Sequence, residues 1–191
     1  PNDGSKLLSA NDGGVFRSVN LAVAPFEWES LNNGYLTTQF YTVALDHGTP
    51  ESPLLVAGAQ DNNQLMTVSM DSKAPWTTVY FGDGSYCAME DGAKLHYFSK
   101  QLGKMIKATV DAGGNRTSYA RIDPVGGAKY LFINPYLLDP TDNNTMYLAG
   151  GKYLWRNNKL RTIPLAGNND SITFGWTKGT DSIPLRNEFI S

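Results

Sequence analysis

Residues 40–81 read FYTVALDHGTPESPLLVAGAQDNNQLMTVSMDSKAPWTTVYF, and the pattern of strands and turns in this stretch indicates the fold class. Four short runs rich in Val, Leu, Tyr and Thr alternate in it with turn-forming Asp, Asn, Gly and Pro. Runs of this length and composition, bounded by such turns, are typical of β-strands joined in antiparallel hairpins. The stretch therefore predicts four strands, which we name A (40–45), B (54–59), C (64–69) and D (76–81).

The same pattern recurs along the chain. Trp28, Trp76 and Trp176 open similar phrases, and Tyr119 takes the equivalent place between the second and the third. The repeat is thus four strands in roughly 45–50 residues, which is the length of a propeller blade. A β-helix solenoid is the alternative, but its turns are shorter than this period. We expect an all-β chain of about four four-stranded antiparallel blades, forming part of a larger β-propeller.

The repeats also set the expected domain organisation, which is a single propeller fragment over residues 1–191. Both ends of the chain look cut, with a blade remnant at 1–36 and the start of another blade at 185–191. A lone array exposes sheet faces that normally pack on neighbours, so we expect missing blades or a second copy of the chain to cover them. Full blades are expected at about 37–82, 83–128 and 129–180.

Composition narrows the function classes. Apolar residues make up 41% of the chain, charged residues only 18%, and the formal net charge is −2. Without a Lys/Arg-rich run, neither a nucleic acid nor an anionic membrane is an expected partner. The single cysteine, Cys87, excludes an intrachain disulfide and is expected to be a buried strand residue. His47 and His96 are isolated, and DPTDNN (139–144) lacks an EF-hand pattern, so neither a metal nor a cofactor is expected.

The segment between strands C and D, SMDSKAPW (69–76), resembles the Asp-box, Ser-x-Asp-x-Gly-x-Thr-Trp, of sialidase-like BNR-repeat propellers. Other phrases, such as QFYTVALD and YLAGGKYLWRN, resemble large secreted propeller proteins of marine Bacteroidetes-type bacteria. This resemblance implies a protein that is secreted or displayed on a bacterial cell surface. The matching positions are Ser69, Asp71 and Trp76 in one copy, Thr109, Asp111 and Gly113 in the next, and Ser18 and Trp28 in the first, where Asn20 replaces the Asp.

The Asp-box implies a structural role for these positions. Its Asp accepts hydrogen bonds from backbone N–H groups two residues further on, its Gly supplies a permissive φ, and its Trp packs between blades. Asp71 and Asp111 are therefore interpreted as turn residues of the C–D hairpins.

Strand direction sorts the remaining candidates. A–B and C–D turns lie on one face of a propeller, whereas B–C turns and D–A connections lie on the other, where ligands usually bind. Each Asp on that second face also has a plain interpretation as a turn former, because Asp, Asn and Gly tolerate left-handed backbone. The ligand-face candidates are Asp12, Asp61, Asn62, Asp83 and Tyr86, and the three Asp are the catalytic candidates.

Three functions remain open at this point. The first is a binding module for a glycan or a surface protein, and it is the one that we favour. The second is a glycoside hydrolase of the xyloglucanase or sialidase type, which needs two acids about 5–5.5 or 6.5–9.5 Å apart. The third is a protein-interaction propeller of the sortilin kind. The hydrolase would gain if two of Asp12, Asp61 and Asp83 lay within about 10 Å across a polar cleft.

Overall fold

The computed structural model describes residues 4–11, 13–34 and 38–182. The described residues form fifteen β-strands and two short 3₁₀ helices, and every sheet is antiparallel. The prediction of an all-β fold built from four-stranded antiparallel sheets is confirmed. Asp12 and the blade start expected at 185–191 lie outside the described residues. No helix in the described ranges has the length and apolar character needed to cross a membrane.

The chain divides into two compact units, residues 1–37 and 38–191. The first unit holds an N-terminal sheet in which a central strand pairs with its two neighbours. Arg17 and Glu29 form an ion pair across this sheet, with 2.5 Å between guanidinium and carboxylate. Its strands are β1 (Leu7–Asn11), β2 (Gly14–Ser18) and β3 (Glu29–Ser30).

The second unit holds three four-stranded sheets, each a meander in chain order. The two 3₁₀ helices, at Gln101–Gly103 and Leu160–Thr162, lie in connections of the second and third sheets. Sheet I contains β4 (Thr42–Leu45), β5 (Leu55–Gly58), β6 (Gln64–Thr67) and β7 (Thr77–Tyr80). Sheet II contains β8 (Gly84–Met89), β9 (His96–Lys100), β10 (Lys104–Val110) and β11 (Arg116–Arg121). Sheet III contains β12 (Tyr136–Leu138), β13 (Met146–Gly150), β14 (Tyr153–Asn157) and β15 (Trp176–Lys178).

Strands A to D of the opening stretch are present as β4 to β7, and each has four residues where six were predicted. Local side-chain hydrogen bonds explain part of the difference. The backbone N–H of Ser69 donates to the Thr67 hydroxyl at 3.2 Å. Such bonds offer the backbone an alternative to the strand ladder, so strand C stops at Thr67.

Consecutive residues of β9 show how the sheets pack. Side chains of a strand alternate between faces, so Phe98 points into the core between sheets I and II, and Tyr97 into the core between sheets II and III. Both side chains are fully buried. Cys87 belongs to the first core, as predicted, and burial raises the pKa of its thiol to about 11. The first core also contains Val56, Met66, Val79 and Ile106, and the second contains Met105, Met146, Leu148 and Trp155.

Two glycines allow sheet I to approach sheet II closely. A Cβ on Gly58 would lie 1.9 Å from the carbonyl oxygen of Ser85, and one on Gly84 would lie 2.0 Å from that of Asn63. Contacts that short are impossible for any residue with a side chain, so β5 and β8 depend on glycine at these two positions.

The first strands of the three sheets lie side by side, because both β4 and β12 contact β8. Their A–B turns are joined by hydrogen bonds. The Gly92 N–H donates to Oδ1 of Asp46 at 2.9 Å, and the Asp91 N–H donates to Oδ1 of Asn143 at 2.8 Å. The A–B turns of all three sheets therefore meet on one face of the second unit.

Candidate functional site

The B–C turn of sheet I contacts the D–A connection that follows it. The backbone N–H of Asp61 donates to Oδ1 of Asp83 at 3.1 Å, and the Gly82 N–H donates to Oδ1 of Asn63 at 3.1 Å. The structure therefore brings Asp61 and Asp83 together, at the end of the strands opposite the A–B turns.

The contacts of Asp83 explain its position. Its N–H donates to Oε1 of Gln101 at 3.0 Å, and its carbonyl accepts the Gln101 N–H at 3.1 Å. Asp83 thus connects the B–C turn of sheet I to the B–C turn of sheet II through hydrogen bonds. Both its carboxylate and its backbone have a structural role in this connection. Beside it, the Asn62 amide donates to the Gln60 carbonyl at 3.1 Å.

Asp61 adopts a left-handed backbone conformation, with φ of 59°. This conformation costs an ordinary L-residue about 1–2 kcal/mol and is readily adopted by glycine. We expect Asp61→Ala to be less stable than Asp61→Gly by about 1 kcal/mol in free energy of unfolding, because only glycine adopts this φ without strain. Urea denaturation of the two variants measures the difference, and an equal loss in both would show that the carboxylate, and not the backbone, stabilises the turn.

The Asp residues of the C–D hairpins accept hydrogen bonds from backbone N–H groups a few residues further on. Oδ1 of Asp71 accepts the Lys73 N–H at 2.9 Å, and Oδ1 of Asp111 accepts the N–H groups of Gly113 and Asn115, each at 2.9 Å. The hydrogen bond from the Asn115 backbone lowers the pKa of Asp111. Asp46 and Asp139 make similar turns between strands A and B, so this geometry occurs at both kinds of turn.

The other positions of the segments that resemble the Asp-box also have local contacts. The Trp76 ring stacks on Phe40, which precedes the first strand of the same sheet, with 5.2 Å between ring centroids. The Ser69 hydroxyl accepts the Asp71 N–H at 3.1 Å. Thr109 shares a hydroxyl–hydroxyl bond of 2.9 Å with Thr117 on the neighbouring strand.

A groove with a volume of about 860 Å³ runs between β4, β8 and β12, and we call it the inner groove. It is mainly apolar, and Val43, Leu45 and Leu137 are about half exposed in it, at 51%, 49% and 61%. Tyr86 is the ligand-face candidate that lines this groove. Polar side chains from the A–B turns lie at one end: His47, Asp91 and Asn143.

A second cavity, with a volume of about 270 Å³, lies at the opposite end of the strands, and we call it the lysine pocket. The B–C hairpin of sheet III forms one side, the connection between β11 and β12 forms another, and β15 closes it. Its lining residues are Gly126, Ala128, Lys129, Gly150, Gly151, Lys152, Tyr153, Trp155 and Lys178.

Glycines shape the lysine pocket. A Cβ on Gly150 would lie 2.8 Å from Nε1 of Trp155, so glycine lets the indole edge reach the cavity. Gly151 has φ of 62°, which suits the tight turn, and its N–H donates to the Lys129 carbonyl at 3.1 Å. The hairpin is thereby fixed to the connection before β12, with Lys152 at its tip.

Sequence reasoning did not identify the lysine pocket. Its lysines are scattered along the chain, and none belongs to a charged run. The rule that sorts turns by face would have found two of them, because Lys152 lies in a B–C turn and Lys129 in a D–A connection. Strand parity alone therefore predicts that both lysines lie on the same face.

Two buried carboxylates were missed as well, and both are paired with arginine. Asp123 accepts from Arg121 through both oxygens, at 2.7 and 2.9 Å, and its Oδ1 also accepts the Met105 N–H at 3.2 Å. This bidentate bond raises the pKa of Arg121. Glu90 accepts a hydrogen bond from Nε of Arg161 through one oxygen, Oε1, near the opposite end of the strands. These contacts stabilise connections between strands and leave neither carboxylate free for chemistry.

No family model matches this chain, and no curated protein matches it either. Within the described part of the chain, no group of three or more His, Cys, Asp or Glu side chains is placed to hold a metal ion.

Proposed function

We propose that this chain is part of an Asp-box β-propeller that acts as a binding module, with a glycan bound in the lysine pocket. Three observations support the propeller: the sheets pack face to face in chain order, their first strands lie side by side, and Asp71 and Asp111 close C–D turns. The proposed setting is outside a bacterial cell, secreted or at its surface, and rests on the resemblance to secreted propellers.

The chemistry of the lysine pocket carries the binding proposal. Ligand sites combine a concave, partly aromatic surface with a few convergent polar groups. Here Tyr153 and Trp155 supply the aromatic surface, and the ammonium groups of Lys152 and Lys178 supply hydrogen-bond donors. The volume of about 270 Å³ lies just below the range of ~300–1,000 Å³ typical of small-molecule sites, which suits one or two sugar rings.

The inner groove favours a second candidate, in which a surface protein is the ligand. Exposed apolar side chains that adjoin one another mark protein-interaction surfaces more often than sugar sites. Val43, Leu45 and Leu137 form such a surface around Tyr86. A protein segment with apolar side chains is the ligand that this groove would take.

Glycoside hydrolysis is a third candidate, supported by the approach of Asp61 to Asp83. Hydrolysis needs one carboxyl group that can donate a proton and a second that acts as base or nucleophile. Oδ1 of Asp83 already accepts the Asp61 N–H, and both cavities are lined by other residues. We therefore rank hydrolysis below binding.

A glycan array probed with the full 191-residue chain tests the proposal, followed by titration calorimetry on the best-bound oligosaccharide. We expect Tyr153→Ala to weaken binding at least 10-fold, because the aromatic wall of the pocket is lost. Tyr147→Ala is the matched control, since Tyr147 is a half-buried tyrosine on the adjacent strand β13 that does not line the pocket.

Three results would contradict this assignment. Absence of binding to every glycan would direct attention to the inner groove and a protein ligand. Release of reducing sugar from a bound oligosaccharide, abolished by Asp83→Asn, would favour the hydrolase. Equal binding by Tyr153→Ala and the wild type would place the glycan elsewhere on the surface.

A further inference from the structure

We infer that the lysine pocket is selective for acidic saccharides, those that carry a carboxylate or a sulfate on the ring. This inference rests on the proposed glycan-binding function and adds the class of ligand. It is carried by the charge of the pocket, by the way its lysines are held, and by the kind of hydrogen-bonding groups that it offers.

The pocket is a concentration of positive charge in a chain whose net charge is −2. Lys152 and Lys178 supply this charge, and none of the described lining residues is acidic. Charges of one sign that line a concave, low-dielectric surface focus the local field and attract ligands of opposite charge. This field favours an anionic sugar over a neutral one.

The lysines converge because of the sheet topology. Lys152 lies at the tip of the two-residue turn between β13 and β14, and Lys129 lies in the connection to which this turn is hydrogen-bonded. Lys178, the last residue of β15, extends over the ring of Tyr153, with 3.7 Å between its Nζ and the ring centroid. This cation–π contact orients the ammonium group of Lys178 at the pocket wall.

The hydrogen-bonding groups of the pocket are mainly donors. An ammonium group offers three N–H donors and no acceptor, and an indole offers one N–H. Among the residues that the structure describes, Trp155 makes no hydrogen bond through Nε1, whereas the Trp176 indole donates to the Ile122 carbonyl at 2.6 Å. The Trp155 N–H is thus left for a ligand, which must be rich in acceptors.

The choice of lysine also bears on the ligand. Arginine presents a rigid, planar fork, whereas lysine is a compact point charge that adapts to carboxylate and sulfate alike. The anionic group attached to a sugar ring would contact the ammonium groups, and the ring would contact Tyr153 and the backbone of Gly151. Free sulfate offers the same charge without the ring, so the two can be separated by experiment.

The test compares four ligands on the full chain by titration calorimetry: a uronic-acid disaccharide, a sulfated disaccharide, the matching neutral disaccharide and inorganic sulfate. We expect the acidic disaccharides to bind at least 10-fold more tightly than the neutral one, with affinity that falls as salt is added. Lys152→Gln should weaken acidic binding about 10-fold, and the Lys152→Gln/Lys178→Gln double variant should weaken it further. Lys73→Gln, which removes an exposed lysine from a C–D turn, should leave it unchanged.

Each outcome has a distinct meaning. Equal affinity for acidic and neutral disaccharides would overturn selectivity and leave the glycan-binding function intact. Equal affinity for inorganic sulfate and the sulfated disaccharide would show an anion site without sugar recognition, which would also overturn the inference. No binding of any disaccharide would contradict the proposed function itself. A Lys152→Gln effect that Lys73→Gln reproduces would assign the selectivity to net charge and not to the pocket.

Discussion

Lys107→Met is expected to lower the free energy of unfolding by about 2–3 kcal/mol, the cost typical of losing a buried hydrogen-bonding group that is charged. Lys107 is only 2% exposed, in the middle of β10. Its Nζ donates to the carbonyls of Leu160 at 2.7 Å, Arg161 at 3.1 Å and Ile163 at 2.9 Å. Methionine fills the same space but donates nothing, so three carbonyls at the 3₁₀ helix of sheet III lose the ammonium donor, and only the Leu160 carbonyl keeps a second one, the Ile163 N–H at 3.2 Å.

The measurement is urea unfolding of the wild type, Lys107→Met and Lys104→Met. Lys104 is the matched control because it begins the same strand and is exposed. We expect its replacement to change the free energy of unfolding by less than about 0.5 kcal/mol, as is usual for surface positions. A loss below about 1 kcal/mol for Lys107→Met would mean that the three carbonyls find water, and that the ammonium group is not needed to join sheets II and III.

Lys107 also marks the limit of what the sequence could predict. The repeat in residues 40–81 predicted the strands and turns because strand periodicity and turn chemistry are local properties. In KMIKATV (104–110), no local feature distinguishes the buried Lys107 from the exposed Lys104. Lys107 is buried because the connection after β14 brings its carbonyls from more than 50 residues away. No local pattern encodes such a partner.

The candidate sites show the same division between local and long-range information. Asp61 was predicted to form a turn on the face of the B–C loops, and its left-handed backbone and its contact with Asp83 agree with that prediction. Tyr86 was assigned to the same face as part of the D–A connection GDGSY (82–86). The structure instead places its side chain in the inner groove, since it lies within β8. The face on which a turn residue lies follows from the direction of the strands. The surroundings of a strand residue depend instead on which strands pack beside it.

Acidification from about pH 6.5 to pH 4 is expected to reduce the free energy of unfolding by about 3 kcal/mol through one residue, His96. Its ring is fully buried and stacks near Phe98, with 5.9 Å between centroids, and neither ring nitrogen has a partner within the described residues. Burial lowers the pKa of His96 from its ordinary value of 6.5 to about 4, although the nearby Asp46 opposes the shift. Below pH 6.5 the unfolded chain therefore binds a proton at His96 that the folded chain does not bind. The free energy of unfolding falls with pH until the folded state is protonated as well.

Urea unfolding at several pH values, with His96→Phe and His47→Gln as variants, separates this effect from other titrations. His96→Phe should flatten the profile between pH 6.5 and 4, because it removes the titrating ring, whereas His47→Gln removes an exposed histidine and should keep the slope.

The carboxylates of Asp111 and Asp139 act in a lower pH range, since hydrogen bonds from the backbone of Asn115 and Thr141 lower their pKa values below 3.8. Their stabilisation is lost only below about pH 4. If the pH dependence between pH 6.5 and 4 persisted in His96→Phe, another group would be responsible for it. The buried imidazole of the wild type would then be protonated without a loss of stability.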